Sequence, residues 1–345
     1  MVDFHSLKYG EKKIEFHSNL IYIQYPQIEM TTPMTIRTRR QTIDPDAASI
    51  PKRTSGSAKR TKIGPIEEIP VILPPHPAIS GTPNYLAMKN FHPRDADISF
   101  EEGPHIYTVL GDRGGYTSVT TFNHSHFSHF DANKIADGII NKKQWSDDPT
   151  YKYYKMAKKD IIAMWNKNGA AASGSGTKMH NDIEHYYNGM EVENDSPEFQ
   201  YFRNFVRDHP ELKPYRTEWM VYNEDLKLSG SIDMVYENPD GTLQIYDWKR
   251  CKEIAHEDPY GKFAHTTCIS HLPDTNFWHY SLQLNTYKTI LEHKYGKKIT
   301  NLALVCLHPD NFNKNYEVIP VPFMDAEMEA LMNYRRDSLT KVKQD

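Results

Sequence analysis

Residues 228–250, LSGSIDMVYENPDGTLQIYDWKR, constrain the fold more than any other stretch of this chain. Two runs rich in β-branched, aromatic and aliphatic residues flank Pro239-Asp240-Gly241, a strong turn signal, so they read as the arms of a β-hairpin. The strand with Asp233 thereby becomes the neighbour of the strand that ends in Asp247-Trp248-Lys249. On a strand, residues two apart point to one face. Asp247 and Lys249 therefore project together while Trp248 turns away, and a second carboxylate lies on the adjacent strand.

Around this hairpin, from about residue 91, the pattern is that of a compact α/β unit. HIYTVLGDRGGYTSVT reads as two short strands around a Gly-rich turn, Asp112 to Gly115, and TTFNHSHFSHFDANKIADGII as a continuing helix. A long helical stretch, roughly Pro149 to Asn166, meets the break AASGSG, after which GTKMHNDIEHYYNG reads as a turn feeding a helix. TEWMVYN precedes the hairpin as a strand, and FWHYSLQLNTYKTILEHKYG follows it as an amphipathic helix. Strands NLALVCLHP and YEVIPVPF and a helix from Asp325 close the chain.

The 345 residues exceed the usual 100 to 200 of one domain, and the excess lies in an extension over residues 1–90, ahead of a folded domain over 91–345. Within the extension, KKIEFHSNLIYIQYPQIEM reads as extended, with Ile14, Phe16, Leu20 and Tyr22 in phase on one face and Ile21, Ile23 and Tyr25 on the other. Residues 35–83 are dominated by proline and small polar residues. Between Arg37 and Lys62 eight basic residues face only Asp44 and Asp46, a local charge of +6, in what reads as an unstructured basic linker. A phosphate contact, a nuclear-import signal and a plain solvated spacer all fit it.

Bulk charge is −4, so nothing in the overall balance advertises nucleic-acid binding, and any such binding must be local. No run approaches the roughly 18 apolar residues of a membrane span, and MVDFHSLKYGEKK lacks the apolar centre of a secretory signal, which disfavours secretion and membrane insertion. Cys251, Cys268 and Cys306 form no evident disulfide framework and suit a reducing, intracellular compartment.

The chemistry-bearing residues recur at meaningful spacings. Asp233 and Asp247 on neighbouring strands can bind a hard divalent cation, since magnesium wants oxygen ligands, and Lys249 adds a donor beside it. A lone D-x-K is more often an exposed charge pair at a sheet edge. His180 and Glu184, four apart, share one helix face, although a helix start capped by Thr177 with a core-edge histidine is the simpler reading of His180 taken alone. Gln283 and Tyr287 repeat that spacing and offer neutral donors to a phosphate. His265, Cys268 and His271, with His256 nearby, match no familiar zinc spacing. Phe122, Phe127 and Phe130 set an apolar face that leaves His124, His126 and His129 on a polar one.

The order of these pieces, GxxxH, a strand with Glu218, GxxD, hairpin, DxK, then QxxxY, resembles the PD-(D/E)XK nuclease superfamily, in particular its RecB-like exonuclease branch. The resemblance runs from about Tyr107 to Phe323. Thr117-Ser-Val-Thr-Thr is similar to the corresponding segment of mitochondrial genome maintenance exonucleases, and HLPDTNFWHYSLQLNTYK looks like relatives encoded by large DNA viruses. It implies a restriction-endonuclease-like α/β fold, a central mixed β-sheet flanked by helices, with a partly disordered N-terminal extension. It also implies that His180, Asp233, Asp247 and the carbonyl of Trp248 hold Mg²⁺ or Mn²⁺, that Lys249 is catalytic, and that Glu184 and Glu218 support the site. DNA contacts are implied at Gln283, Tyr287, Ser118, Thr120, Lys178 and Arg250.

The function expected on this basis is a metal-dependent DNA exonuclease acting on single-stranded or frayed ends in replication, recombination or repair. The alternatives are a flap or junction endonuclease and a non-catalytic DNA-end-binding module. DNA is the expected partner, with a replication or recombination protein docking on the extension. The compartment is intracellular and reducing, the host cytoplasm or nucleus if the chain is viral. The chain departs from the resembled branch in two respects. All three cysteines follow the GxxD, so no iron-sulfur cluster is expected, and Arg250-Cys251 stands where a small hydroxyl residue often follows the lysine. No phosphate-loop motif of the GxxxxGK[ST] type appears, so no attached helicase motor is expected.

Overall fold

The computed structural model describes residues 82–342; the expectations for Ile14 to Ile23 and for Arg37 to Lys62 lie outside the described residues. The hairpin forms as the turn signal requires. Strand β6 (Leu228–Glu237) pairs antiparallel with both β5 (Lys213–Asn223) and β7 (Leu243–Lys249), and Gly241 takes the left-handed φ of 80° that the turn needs. Strand β8 (Ile299–Cys306) pairs parallel to β7, and β9 (Glu317–Pro320) pairs antiparallel to β8. The two-residue β4 (Thr117–Ser118) lies parallel to the start of β6, which completes a mixed six-stranded sheet. A separate three-stranded antiparallel sheet is built from β1 (Ile98–Glu101), β2 (Ile106–Val109) and β3 (Asp112–Arg113). Its reversal sits at Leu110-Gly111, both at positive φ, rather than at Asp112 to Gly115 as expected.

Helices cover both faces of the large sheet. On one face α5 (Lys158–Tyr187) and α6 (Pro197–Asp208) pack Ile183, Tyr187, Phe202 and Phe205 against Tyr246 and Trp248. On the other, α7 (Asn276–Lys294) packs against Leu243, Ile245, Leu302 and Leu304, and α8 (Asp325–Val342) packs on α7. Alternation along β7 then turns Asp247 and Lys249 toward α7. The short α1 (Tyr85–Lys89) also joins the core: Leu86 is 2% exposed and its amide donates to the side-chain oxygen of Asn188 at 2.9 Å.

Several helices differ from the sequence expectation, each for a physical reason. The stretch expected as one helix after Thr120 is α2 (Val119–His124) and α3 (Ala132–Ile140), because the Asp131 carboxylate accepts from the Lys134 amide at 3.0 Å and starts a new helix. A five-residue helix, α4 (Lys143–Asp147), precedes α5. Helix α5 runs for 30 residues, straight through AASGSG, and Thr177 lies in its interior rather than at its start. Each glycine costs only about 1 kcal/mol relative to alanine. Packing at both ends offsets that: Ile161 joins Ala136, Ile139 and Tyr153, while Met179, Ile183 and Tyr187 join the sheet cluster. Helix α7, expected to be amphipathic, is buried along nearly its whole length, and its polar groups are satisfied internally. Asn285 donates to the Pro322 carbonyl at 3.0 Å, and Lys288 bonds Asp325 at 2.7 Å.

His126 is a further correction to the expected polar face. It is 2% exposed, its Nδ1 lies 2.9 Å from the Thr266 hydroxyl, and its ring packs edge-on to Phe122. The aromatic spacing around it signals core on both sides of the residue. Among the described residues no helix is long and apolar enough to cross a membrane.

Candidate active site

The site lies where β5, β6 and β7 meet the C-terminal half of α5. Tyr187, two turns after His180 on α5, is tied to the sheet by a 2.6 Å bond between its hydroxyl and that of Tyr236. Seven residues are two helical turns, so this anchor also turns His180 to the sheet. The His180 Nε2 lies 3.0 Å from the Trp248 carbonyl, while its Nδ1 faces Asp233 Oδ2 at 3.5 Å and Glu218 Oε1 at 3.7 Å. Trp248 in turn donates its amide to Asp233 Oδ2 at 3.0 Å. The backbone N–H and C=O of one residue of β7 therefore orient the carboxylate and the imidazole, and the Trp248 carbonyl expected on a metal is here bonded to His180.

Glu218 reaches the site through a strained backbone. It falls between the register pairs Thr217↔Met234 and Trp219↔Ile232, opposite Asp233, with φ at 41°. A non-glycine residue in the left-handed region costs on the order of 1–3 kcal/mol, a strain typical of functional sites. Its Oε2 accepts from the Ser231 hydroxyl at 2.8 Å. Ligand atoms of His180, Glu218 and Asp233 all lie within 4.8 Å of one another, and this is the one such grouping among the described residues. His265, Cys268 and His271 form none; His271 bonds Glu327 at 3.1 Å instead.

Beside the grouping, Asp247 and Lys249 form a buried ion pair at 2% and 1% exposure. The Lys249 ammonium also lies 4.3 Å from the ring centroid of Tyr280 on α7. Crowding of acids dominates the electrostatics. Burial and the neighbouring Asp247 push the Asp233 carboxyl up to about 7, and burial with Glu218 pushes Glu184 up to about 7. For His180, burial lowers the pKa, but Asp233 and Glu218 outweigh it and raise it to about 9. For Glu218, burial raises the pKa, yet its bonds to His180 and Ser231 leave it below the ordinary value. One imidazole and several carboxylates crowded together form a donor set that fits Mg²⁺ or Mn²⁺.

The remaining expected residues are placed as follows. Tyr287 reaches the site from α7, close to Asp233 and Asp247, with the Gln283 side chain one turn earlier on the same helix beside it. Tyr287 is 3% exposed and lies so close to Gly230 that a Cβ there would sit 2.8 Å from its hydroxyl oxygen. The glycine of GxxD thus makes room for the tyrosine of QxxxY. Ser118 caps α2, accepting from the Thr121 amide at 3.0 Å, and Thr120 is half-buried on the same helix. Lys178 is exposed and bonds Asp182 at 2.5 Å, and Arg250 is held by Glu198 at 2.6 Å. Ser231 and Tyr280 are additions. Tyr280 had a readable signal, since it lies three and seven residues before Gln283 and Tyr287 and shares their helix face.

Residues 154–345, more than half of the chain, match the family described as the PD-(D/E)XK nuclease superfamily, and the chain belongs to that superfamily. Members typically use divalent metals, in keeping with the acidic grouping found here. No curated protein matches the chain. Among solved structures, the "Putative exonuclease" of Eubacterium rectale is similar at 9% identity and a TM-score of 0.32, over 67% of this chain and 80% of that one.

Proposed function

We propose that this nuclease is a divalent-metal-dependent DNA exonuclease of the RecB-like branch, hydrolysing phosphodiesters from single-stranded or frayed ends in replication, recombination or repair. The observation that carries the reading is the buried Asp247–Lys249 pair set directly beside the His180, Glu218 and Asp233 grouping. A buried ion pair of this kind is weak support for stability, because its desolvation cost offsets much of the attraction. At the edge of an acidic grouping its value is chemical.

His180 Nδ1, Glu218 Oε1, Asp233 Oδ2 and the Asp247 carboxylate are the atoms that would hold the cation. Bound there, a divalent ion supplies charge against the developing negative charge on phosphorus oxygens and lowers the pKa of nearby water. The Lys249 ammonium aligns the attacking water or offsets charge on the phosphate. Glu184, with its carboxyl raised to about 7 by burial and Glu218, exchanges a proton near neutral pH. Gln283 and Tyr287 orient the strand from α7, with Ser118, Thr120 and Lys178 as further contacts, and Arg250 keeps β7 in place through Glu198. DNA is the partner in this reading, and a replication or recombination protein would dock on residues 1–90. The free thiols of Cys251, Cys268 and Cys306 support an intracellular, reducing compartment.

The test is degradation of end-labelled linear DNA and covalently closed circular DNA with Mg²⁺. An exonuclease consumes the linear substrate and spares the circle. Cutting of the circle would make the protein an endonuclease, and failure to cut either substrate with Mg²⁺ present would leave only DNA-end binding.

A further inference from the structure

The Lys249 ammonium is held from two sides, by the Asp247 carboxylate on its own strand and by the face of the Tyr280 ring on α7. These partners differ in one respect that matters for the reaction. A carboxylate oxygen is a ligand that a divalent cation takes for itself, and the cation then repels an ammonium nearby. An aromatic face is no ligand for such a cation, yet it attracts an ammonium through its negative quadrupole. Tyr280 is buried and sits on the α7 face that carries Gln283 and Tyr287, so it is fixed relative to the site.

We infer that Tyr280 is the positioning residue of Lys249: its ring keeps the ammonium aimed at the scissile phosphate once Asp247 turns to a metal ion. The inference rests on the nuclease reading above. It assigns the role to the ring face and not to the hydroxyl, so phenylalanine should replace tyrosine and an aliphatic residue should not.

Two readouts test it. In protein carrying ¹³C-labelled lysine, the Lys249 ε-methylene resonance, identified by its absence in Lys249→Arg, should lie upfield of the other lysines because of the Tyr280 ring current. It should stay there in Tyr280→Phe and on addition of Mg²⁺, and return to the common position in Tyr280→Leu. A Lys249 resonance that is not displaced, or that leaves its upfield position when Mg²⁺ is added, overturns the inference. In cleavage assays, Tyr280→Phe should keep kcat near that of the wild type, and Tyr280→Leu should lose roughly ten- to thirtyfold in kcat at unchanged KM. Phenylalanine analogues of rising fluorination at position 280 keep the shape while weakening the quadrupole, so kcat should fall stepwise even if Tyr280→Leu does not fold. A flat fluorination series, or a loss confined to KM, sinks the inference alone. A wild type without metal-dependent cleavage sinks the nuclease reading, and the positioning role with it.

Discussion

Replacing Gly230 by alanine gives a sharp test of how the GxxD and QxxxY motifs are coupled. Gly230 is not in the left-handed region, so backbone conformation does not demand glycine there; space does. An added Cβ would lie 2.8 Å from the Tyr287 hydroxyl oxygen and 2.9 Å from its Cε1. The ring cannot simply swing away, because Tyr287 is buried in the cluster that holds α7 on the sheet. Overpacking of this kind costs about 1–3 kcal/mol. For a domain of this size that lowers Tm by roughly 3–10 °C. The same clash pushes the Tyr287 hydroxyl away from Asp233 and Asp247, so kcat should fall as well. The assay is thermal unfolding of Gly230→Ala in the wild-type and Tyr287→Leu backgrounds. Leucine removes both clashing atoms, so in that background the alanine should cost less than about 0.5 kcal/mol. An equal cost in both backgrounds would refute the steric coupling.

Three further outcomes follow from the structure. Asp233→Asn relieves the carboxylate crowding that burial and Asp247 impose, so the metal-free protein should gain thermal stability, and Mn²⁺ should stabilise the wild type more than this variant, both read by calorimetry. Burial, His265 and Arg335 lower the His126 pKa from 6.5 to about 4. Its unfolded form therefore binds protons first, so stability is complete above pH 6.5 and is lost as pH falls toward 4. Between pH 6.5 and 5 the wild type should lose up to about 2 kcal/mol more than His126→Gln in denaturant titrations. A chain starting at Thr82 should fold fully, whereas one starting at Phe91 lacks α1 and the burial of Leu86, and should be less stable by about 2–3 kcal/mol in the same titration.

The hairpin, the facing of Asp247 with Lys249 and the order of the motifs were legible because each depends on local chemistry: a Pro-Asp-Gly turn and the two-residue period of a strand. The 30-residue α5 was not, since AASGSG carries breaker signals and only the anchors at Ile161 and Tyr187, distant in sequence from one another, override them. The buried faces of α7 were hidden for a similar reason. Asn285, Thr286 and Lys288 look like a solvent side until their partners, Pro322, Asn123 and Asp325, are in place. His126 misled because a histidine among phenylalanines reads equally as spacer or core, and the Thr266 bond that decides it comes from 140 residues away. Glu218 was found by motif order, but its positive φ is a tertiary strain that no residue pattern announces.

The most direct test of the central claim, that Asp233, Asp247, Lys249 and His180 form a metal-dependent nuclease centre, is the single-turnover rate on a labelled single-stranded oligonucleotide. It is measured for the wild type, Asp247→Asn and Lys249→Met, with Mg²⁺ or Mn²⁺ and after chelation. Cleavage should require the metal and fall by at least about 10²-fold in each variant, the scale set by removing one preorganised stabilising group. Cleavage that survives chelation, or a Lys249→Met protein that cuts at the wild-type rate, would contradict it.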